Sequence, residues 1–170
     1  MGHKSLVHVM LSVTTLDPTL ARIMEPRASK PENRLATIKT LNDAGVPTGV
    51  LVSPIIPAIN DSELEAIIKA SANVGATQVG YILLRLPHEL KELFIDWLRK
   101  HFPDREKRVL TLIRQVRDGK LNTAEFGKRM WGGGPYAEMI KQRYKLASRR
   151  FGLNQHDKNW DFNCTKFTME

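Results

Sequence analysis

The sequence predicts an α/β fold in which three strand–helix units build a parallel sheet and further helices follow. Two observations lead to this prediction. Within the first 100 residues, three short apolar runs are each followed by a segment with apolar residues at helical spacing. The connections are short, and such alternation is typical of parallel strands joined by right-handed crossover helices. Later in the chain, apolar residues at helical spacing predict helices over residues 105–116 and 135–151.

The first unit begins with a predicted strand over residues 7–13, where apolar side chains occupy every second position. The segment that holds Glu25-Pro26-Arg27 is expected to be a loop. Residues 29–32, Ser-Lys-Pro-Glu, have the form of a capping box with proline in the first turn. We expect the helix that starts there to end at Gly45.

The second unit has a predicted strand over residues 48–53. It is expected to stop before Pro54-Ile55-Ile56-Pro57, because proline is rarely compatible with the interior of a sheet. Asn60 and Asp61 are interpreted as caps of the following helix, which Gly75 ends.

The third unit has a predicted strand over residues 78–84, ended by Arg85-Leu86-Pro87. Leu90, Leu93, Phe94, Trp97 and Leu98 then form the clearest amphipathic helix of the chain. In parallel α/β folds ligands bind at the carboxyl ends of strands. Here those ends are residues 12–15, 53–60 and 85–88.

Composition limits the class of protein. The chain has 170 residues, 42% hydrophobic and 26% charged, which is typical of a globular domain. No uncharged run reaches the roughly 18 residues of a membrane span, and no secretory signal is recognised, so a cytoplasmic protein is expected. The single cysteine, Cys164, excludes an internal disulfide and any metal site built on paired cysteines of this chain.

Positive charge is concentrated in the second part of the chain. Residues 1–100 hold 11 basic and 10 acidic side chains, a net of +1, whereas residues 101–170 hold 15 and 8, a net of +7. Such a surplus suits a polyanionic partner, although solvated helix faces explain it equally simply.

Seven motifs carry a family resemblance. In chain order they are Val9-Met10-Leu11-Ser12-Val13-Thr14-Thr15-Leu16-Asp17, Glu25-Pro26-Arg27, Arg34-Leu35, Ala44-Gly45-Val46-Pro47, Pro54-Ile55-Ile56-Pro57 with Asn60-Asp61, Tyr81-Ile82-Leu83-Leu84-Arg85-Leu86-Pro87, and Gly132 to Tyr136. Together they resemble the later half of radical SAM proteins of the spore photoproduct lyase-like group, often labelled DNA repair photolyases. The resemblance covers residues 7–152.

The resemblance implies the C-terminal half of a partial (β/α) barrel, with three parallel strand–helix units followed by C-terminal helices. It divides the chain into a half barrel over residues 1–102, a basic helical extension over residues 103–152 and a polar tail over residues 153–170. It also implies two cofactors, S-adenosylmethionine and a 4Fe-4S cluster.

The family's CxxxCxxC cluster motif is missing from this chain. Three thiolates hold such a cluster and leave its fourth iron for S-adenosylmethionine, so we expect no metal ligand here and no complete enzyme. The cluster half would be supplied by a longer form of the same protein or by a separate chain. We favour a fragment, because a half barrel leaves an open strand edge beside residues 7–13.

The resemblance places S-adenosylmethionine over the three strand ends. Ser12 and Thr14 would face its ribose and amino-acid part, Ser53, Pro54 and Ile55 its adenine, and Leu84 and Leu86 would border the adenine through backbone contacts. Arg85 would bind a carboxylate or phosphate if it points into the barrel together with Tyr81 and Leu83. No catalytic residue is assigned. Each of these residues also has a purely structural interpretation.

A basic and aromatic segment precedes the last helix. Lys128, Arg129, Trp131 and Tyr136 are candidates for DNA or RNA contact, since aromatic rings stack on bases and basic side chains bind phosphates. A plain flexible turn is the alternative. Three functions are therefore considered: part of a radical SAM enzyme that acts, for example, in nucleic-acid repair, a non-catalytic nucleic-acid-binding module, and an unrelated α/β enzyme with a phosphate ligand.

Overall fold

The structure, a computed structural model, describes residues 7–155. Most of the expected polar tail, including Cys164, lies outside the described residues. The elements in chain order are β1 (Val9–Ser12), α1 (Pro18–Met24), α2 (Pro31–Asp43), β2 (Thr48–Ile55), α3 (Leu64–Asn73), β3 (Gln78–Leu83), α4 (Leu90–His101), α5 (Glu106–Val116) and α6 (Gly134–Arg150). Short 3-10 turns at Asp61–Glu63 and Pro103–Arg105 lead into α3 and α5.

The three strands form one parallel sheet in the order β1-β2-β3. Leu11 lies opposite Val50, which lies opposite Val79. The predicted α/β class, with three parallel strand–helix units and helices after them, is confirmed. No helix of residues 7–155 is long and apolar enough to cross a membrane.

One face of the sheet is covered by helices. Val50, Val52 and Val79 pack there in a buried core with Ile67 of α3 and Ile140 of α6. The opposite face carries Met10, Gly49 and Gln78 in one row and Ser12, Leu51 and Gly80 in the next, since residues paired in a parallel register share a face. Space above Gly49 is tight, because a Cβ there would displace the Met10 side chain and lie 3.1 Å from the Gln78 carbonyl oxygen.

A second core joins α1, α4 and α5 below the strand ends. It contains Leu20, Leu98 and Ile113, and it buries Ile56 and Leu86, which follow β2 and β3. This packing fixes the two strand exits.

Strand β2 continues beyond its expected end, through Pro54 to Ile55. The register with β3 shifts between Val52 and Ile55, and the Ser53–Pro54 peptide bond is cis. Proline therefore lies where the ladder is interrupted, which is the position that a residue without an N–H tolerates. The expectation that Pro54 ends the strand is wrong.

Two local predictions in the first unit are also corrected. The expected loop contains α1, which begins with Pro18 and is capped by Asp17 Oδ1, an acceptor for the N–H groups of Thr19 and Leu20. The expected capping box at residues 29–32 does not form. Lys30 is the N-cap residue of α2 without a side-chain cap, and the Ser29 carbonyl accepts from Arg34 Nε instead.

Candidate functional site

The carboxyl ends of the three strands meet at one edge of the sheet, as the fold requires. At the end of β1, Thr14 is buried and its hydroxyl donates to Glu25 Oε2 over 2.9 Å. Arg34 Nη2 donates to the same carboxylate oxygen over 3.0 Å, and Arg34 Nη1 donates to the Ser12 carbonyl over 2.8 Å. The motif Glu25-Pro26-Arg27 thus places a half-buried carboxylate beside the end of β1.

Asn60 holds the ends of β1 and β2 together. Its side chain is 2% exposed. The amide Nδ2 donates to the Thr14 carbonyl at 2.7 Å and to the Pro54 carbonyl at 3.0 Å, and Oδ1 accepts from the Ile56 N–H at 2.7 Å. Its interpretation as a helix cap is wrong, because this buried amide satisfies three backbone groups of two strand exits and makes no cap bond.

Asp61 is not a cap either; its carboxylate accepts from the Tyr136 hydroxyl over 2.7 Å. Burial, together with this carboxylate, raises the pKa of Tyr136. Next to it Glu63 accepts from the Thr15 hydroxyl and from the Leu16 N–H, at 2.6 Å and 2.7 Å. Both carboxylates are therefore occupied by structural bonds.

Two cavities open at the strand ends. The first, called the polar cavity below, has a volume of about 350 Å³ and a lining of mixed polarity whose polar side chains include Thr14, Glu25 and Arg34. The second has a volume of about 300 Å³ and a mostly apolar lining. Its wall is formed by Met24, Glu25, Pro54, Ile56, Leu84, Arg85, Leu86, Leu90, Leu93, Phe94 and Trp97. Glu25 lies between the two cavities and lines both.

Arg85 brings an unneutralised charge to the apolar cavity. Among the described residues it forms no ion pair; its Nη1 contacts Met130 Sδ at 3.7 Å and its Nε is buried without a partner. Arg117, which is fully buried, lies close enough that burial and the Arg85 charge lower its pKa. Because Arg85 forms no ion pair with a described residue, its guanidinium makes this corner of the cavity suitable for an anion.

Arg117, the C-cap residue of α5, was missed in the sequence because a single arginine at the end of a basic helix is typical of a surface cation. Its Nη2 donates to the carbonyls of Leu83 and Leu84, at 2.9 Å and 2.8 Å. Its Nη1 donates to the carbonyls of Lys128 and Arg129, at 3.0 Å and 2.9 Å. The end of β3 is thereby tied to the segment before α6.

The predicted cofactor residues have unequal access to this surface. Thr14 lines the polar cavity, and Pro54, Leu84, Arg85 and Leu86 line the apolar one. Ser12 is exposed, Ser53 is half-buried, and Ile55 is buried in the core.

The role expected for Arg85 assumed that it points into the barrel together with Tyr81 and Leu83. Tyr81 and Leu83 instead point into the helix-covered core, so this assumption is wrong. The N–H groups of Leu84 and Leu86 are already bonded, to the Ile55 carbonyl and to Asn122.

The predicted nucleic-acid residues do not form one cluster. Lys128 contacts Glu125 at 3.3 Å and Asp118 at 3.8 Å, and the Arg129 guanidinium lies over the Phe126 ring. Tyr136 packs against the core. Trp131 is the residue of this set with a large exposed ring.

Residues 7–155 contain no group of three or more His, Cys, Asp and Glu side chains that could hold a metal ion. The whole chain has one cysteine. The donor set that a 4Fe-4S cluster needs, three thiolates, is therefore not provided by this chain.

Comparison with known proteins shows which family part of the chain resembles. Residues 1–70 match the family model of the Radical SAM superfamily. This part of the chain is therefore similar to that superfamily. It covers β1, α1, α2, β2 and the first part of α3, and so includes the Thr14–Glu25–Arg34 cluster.

The chain is also similar to longer proteins. An uncharacterized protein of Mycobacterium tuberculosis and one of Mycobacterium bovis are each 32% identical over 111 residues, which are 64% of this chain and 33% of the relative. The uncharacterized protein ORF301 of Acidianus two-tailed virus is 37% identical over 82 residues, 45% of this chain and 27% of the relative. The chain thus spans about a third of the length of these relatives. No solved structure gives a significant match.

Proposed function

We propose that this chain is the C-terminal part of a radical SAM enzyme of the spore photoproduct lyase-like group, and that its strand ends bind S-adenosylmethionine. The superfamily match over residues 1–70 carries the proposal. In such enzymes reductive cleavage of the bound cofactor supplies a 5'-deoxyadenosyl radical, which takes a hydrogen atom from the substrate.

The two strand-end cavities fit the chemistry of the cofactor. The apolar cavity, with Pro54 and Leu86 in its wall, suits an adenine ring, because flat rings bind in mostly apolar sites with few polar groups. The positive Arg85 suits the carboxylate of the cofactor's amino-acid part, and the negative Glu25 suits its ammonium group. Glu25 lies on the boundary between the cavities, where a ligand spanning both would pass.

We further propose that the cluster ligands come from a polypeptide that adds a strand to β1. The two edges of the sheet support this. On β3, Asn154 pairs with the N–H and the C=O of Val79, and the Met130 carbonyl accepts from the Leu83 N–H, so this edge is partly covered. Val9 donates to the Pro47 carbonyl just before β2 and Val13 to the Leu51 carbonyl of β2, which directs the N–H groups of Met10 and Ser12 outward. No strand within residues 7–155 pairs with that edge.

Binding of S-adenosylmethionine to the full chain tests the proposal. We expect weak but saturable binding in equilibrium dialysis, with a dissociation constant no weaker than about 1 mM. Arg85→Met should lower the affinity roughly 5- to 150-fold, corresponding to about 1–3 kcal/mol for the lost partner of a charged group. Arg99→Met, at an exposed arginine paired with Asp96 and Glu106, is the matched control and should bind as the wild type does.

Equal affinity of the Arg85 variant and the wild type would show that this corner does not hold the cofactor. No binding by the wild type would remove the strand-end site from the proposal. Nucleic-acid repair as the activity rests on the family resemblance alone. The alternative, a nucleic-acid-binding module, is favoured by one observation, the exposed Trp131, and it requires a different surface.

A further inference from the structure

A groove runs along the N-terminal half of α6, away from the strand ends. It has a volume of about 420 Å³. It is referred to below as the Trp131 groove, and its walls are formed by Tyr81, Gly127, Trp131, Gly132, Gly133, Gly134, Ala137, Glu138, Lys141, Tyr144 and Lys145.

The three glycines of the groove have different reasons to be glycine. A Cβ at Gly132 would lie 2.9 Å from the Val116 carbonyl oxygen, and Gly132 and Gly134 have positive φ angles of 72° and 79°. The backbone therefore requires glycine at both positions. Gly133 has an extended backbone with φ −142°, and a Cβ there would meet no atom within 4 Å. Folding does not require glycine at position 133, but a side chain there would enter the groove.

The groove presents an aromatic surface. Trp131 is 47% exposed, and its ring meets the buried Tyr81 ring edge-on with centroids 5.1 Å apart. Tyr81 in turn packs against Tyr144, whose hydroxyl donates to the Val79 carbonyl. Tyr81, itself packed against Tyr144, contacts the Trp131 ring and holds it in position, so that its exposed face can stack on a flat ligand.

The groove also carries positive charge. Lys145 forms no ion pair with any residue of the described part of the chain, whereas Lys141 lies 3.2 Å from Glu138. The first turn of α6 contains no acidic residue, and its N-terminus adds a partial positive charge. Lys128, by contrast, is paired with Glu125 and does not line the groove.

We propose that the Trp131 groove binds a nucleoside phosphate, with the base stacked on Trp131 beside the Gly133 backbone and the phosphate held by Lys145 further along α6. A flat apolar ring next to a free cation and an unobstructed backbone is the arrangement that a nucleotide unit requires. The inference goes beyond the proposed cofactor site, because the groove shares no residue with the two strand-end cavities.

The surroundings of the groove favour a nucleotide within single-stranded nucleic acid over a free nucleotide as the ligand. Trp131 and Tyr144 also line a neighbouring cavity of about 460 Å³, which reaches Met10, Leu51 and Gly80 on the face of the sheet without helices. A strand bound at Trp131 has a continuous path towards that face, whereas a single nucleotide would occupy the groove alone.

The test is fluorescence-anisotropy titration of the full chain with a labelled single-stranded oligothymidylate at about 50 mM salt, with thymidine monophosphate as competitor. Gly133→Val should reduce the affinity at least tenfold. Ala124→Val, which adds a similar bulk at an exposed position outside the groove, is its control. Lys145→Gln should reduce the salt slope of log affinity by about 0.7. Lys128→Gln is the matched lysine control and should leave the slope unchanged.

The outcomes separate the alternatives. Loss of binding in the Gly133 and Lys145 variants, but not in their controls, supports the groove; weak competition by the monophosphate then identifies the strand, and strong competition the free nucleotide. Equal losses in Lys145→Gln and Lys128→Gln would mean general attraction by basic side chains and would overturn the proposal. No binding of either probe by the wild type would overturn it too. Affinity for S-adenosylmethionine, measured in the same variants, should not change, so failure here is distinct from failure of the cofactor site.

Discussion

Replacing Arg117 by methionine tests what holds the end of β3 in place. The side chain is fully buried, and its guanidinium donates to four backbone carbonyls, those of Leu83, Leu84, Lys128 and Arg129. Methionine keeps much of the apolar stem but removes every donor. The carbonyls of Leu83, Leu84 and Arg129 would then lose this donor while much of the surrounding structure still excludes water, whereas the Lys128 carbonyl still accepts from the Gly132 N–H.

The magnitude follows from these bonds. A hydrogen bond to a charged group contributes about 1.5–3 kcal/mol, so four of them set an upper limit of roughly 6–12 kcal/mol. Relaxation and entry of water lower this, and the buried charge itself is costly, since burial lowers the pKa of Arg117. Carbonyls left without a donor cost about 1–3 kcal/mol each before relaxation, so we expect a loss of roughly 3–5 kcal/mol. This is a large part of the roughly 5–15 kcal/mol that stabilises a typical domain.

Urea denaturation, followed by circular dichroism, measures the loss. Arg114→Met is the matched control, because Arg114 lies on the same helix and is exposed; its free energy of unfolding should change by no more than about 0.5 kcal/mol. A loss below about 1 kcal/mol for Arg117→Met would refute the argument that these four bonds fix the strand end.

Two further predictions concern the Glu65–Arg143 pair and the β1 edge. Arg143 donates to both carboxylate oxygens of Glu65, at 2.7 Å and 2.6 Å, and holds the pKa of Glu65 below its ordinary value. The stabilisation is therefore present above the ordinary pKa and is lost as the pH falls through the lowered one. Glu65→Gln should cost about 0.5–1 kcal/mol near neutral pH, after allowance for solvent screening, and nothing in strong acid; a loss independent of pH would contradict this. Ser12→Pro should abolish co-purification with a co-expressed polypeptide that carries CxxxCxxC, because it removes an outward N–H of β1, whereas Ser12→Ala should not; equal recovery of both variants would argue against strand addition at this edge.

Local sequence patterns were sufficient for the elements of the fold. Apolar alternation and helical spacing predicted three parallel strand–helix units, and positive φ angles at Gly45 and Gly75 agree with the expected helix ends. These signals are local, because side-chain periodicity reflects which face of one element is buried. Helix α1 was overlooked although Asp17-Pro18, a cap followed by proline, marks its start.

The sequence by itself determined the α/β class, the family resemblance and the position of the strand ends. Tertiary structure decided which side chains meet there. Asn60 donates to a carbonyl 46 residues away in the sequence, and Arg117 donates to one 34 residues away. From the local sequence alone, Asn60 would be interpreted as a helix cap and Arg117 as a surface cation. The Trp131 groove likewise joins residues from β3, a loop and α6. Such contacts depend on how whole elements pack, because the partner of a polar side chain is set by burial and distance in space, and neither is encoded in the spacing along one segment.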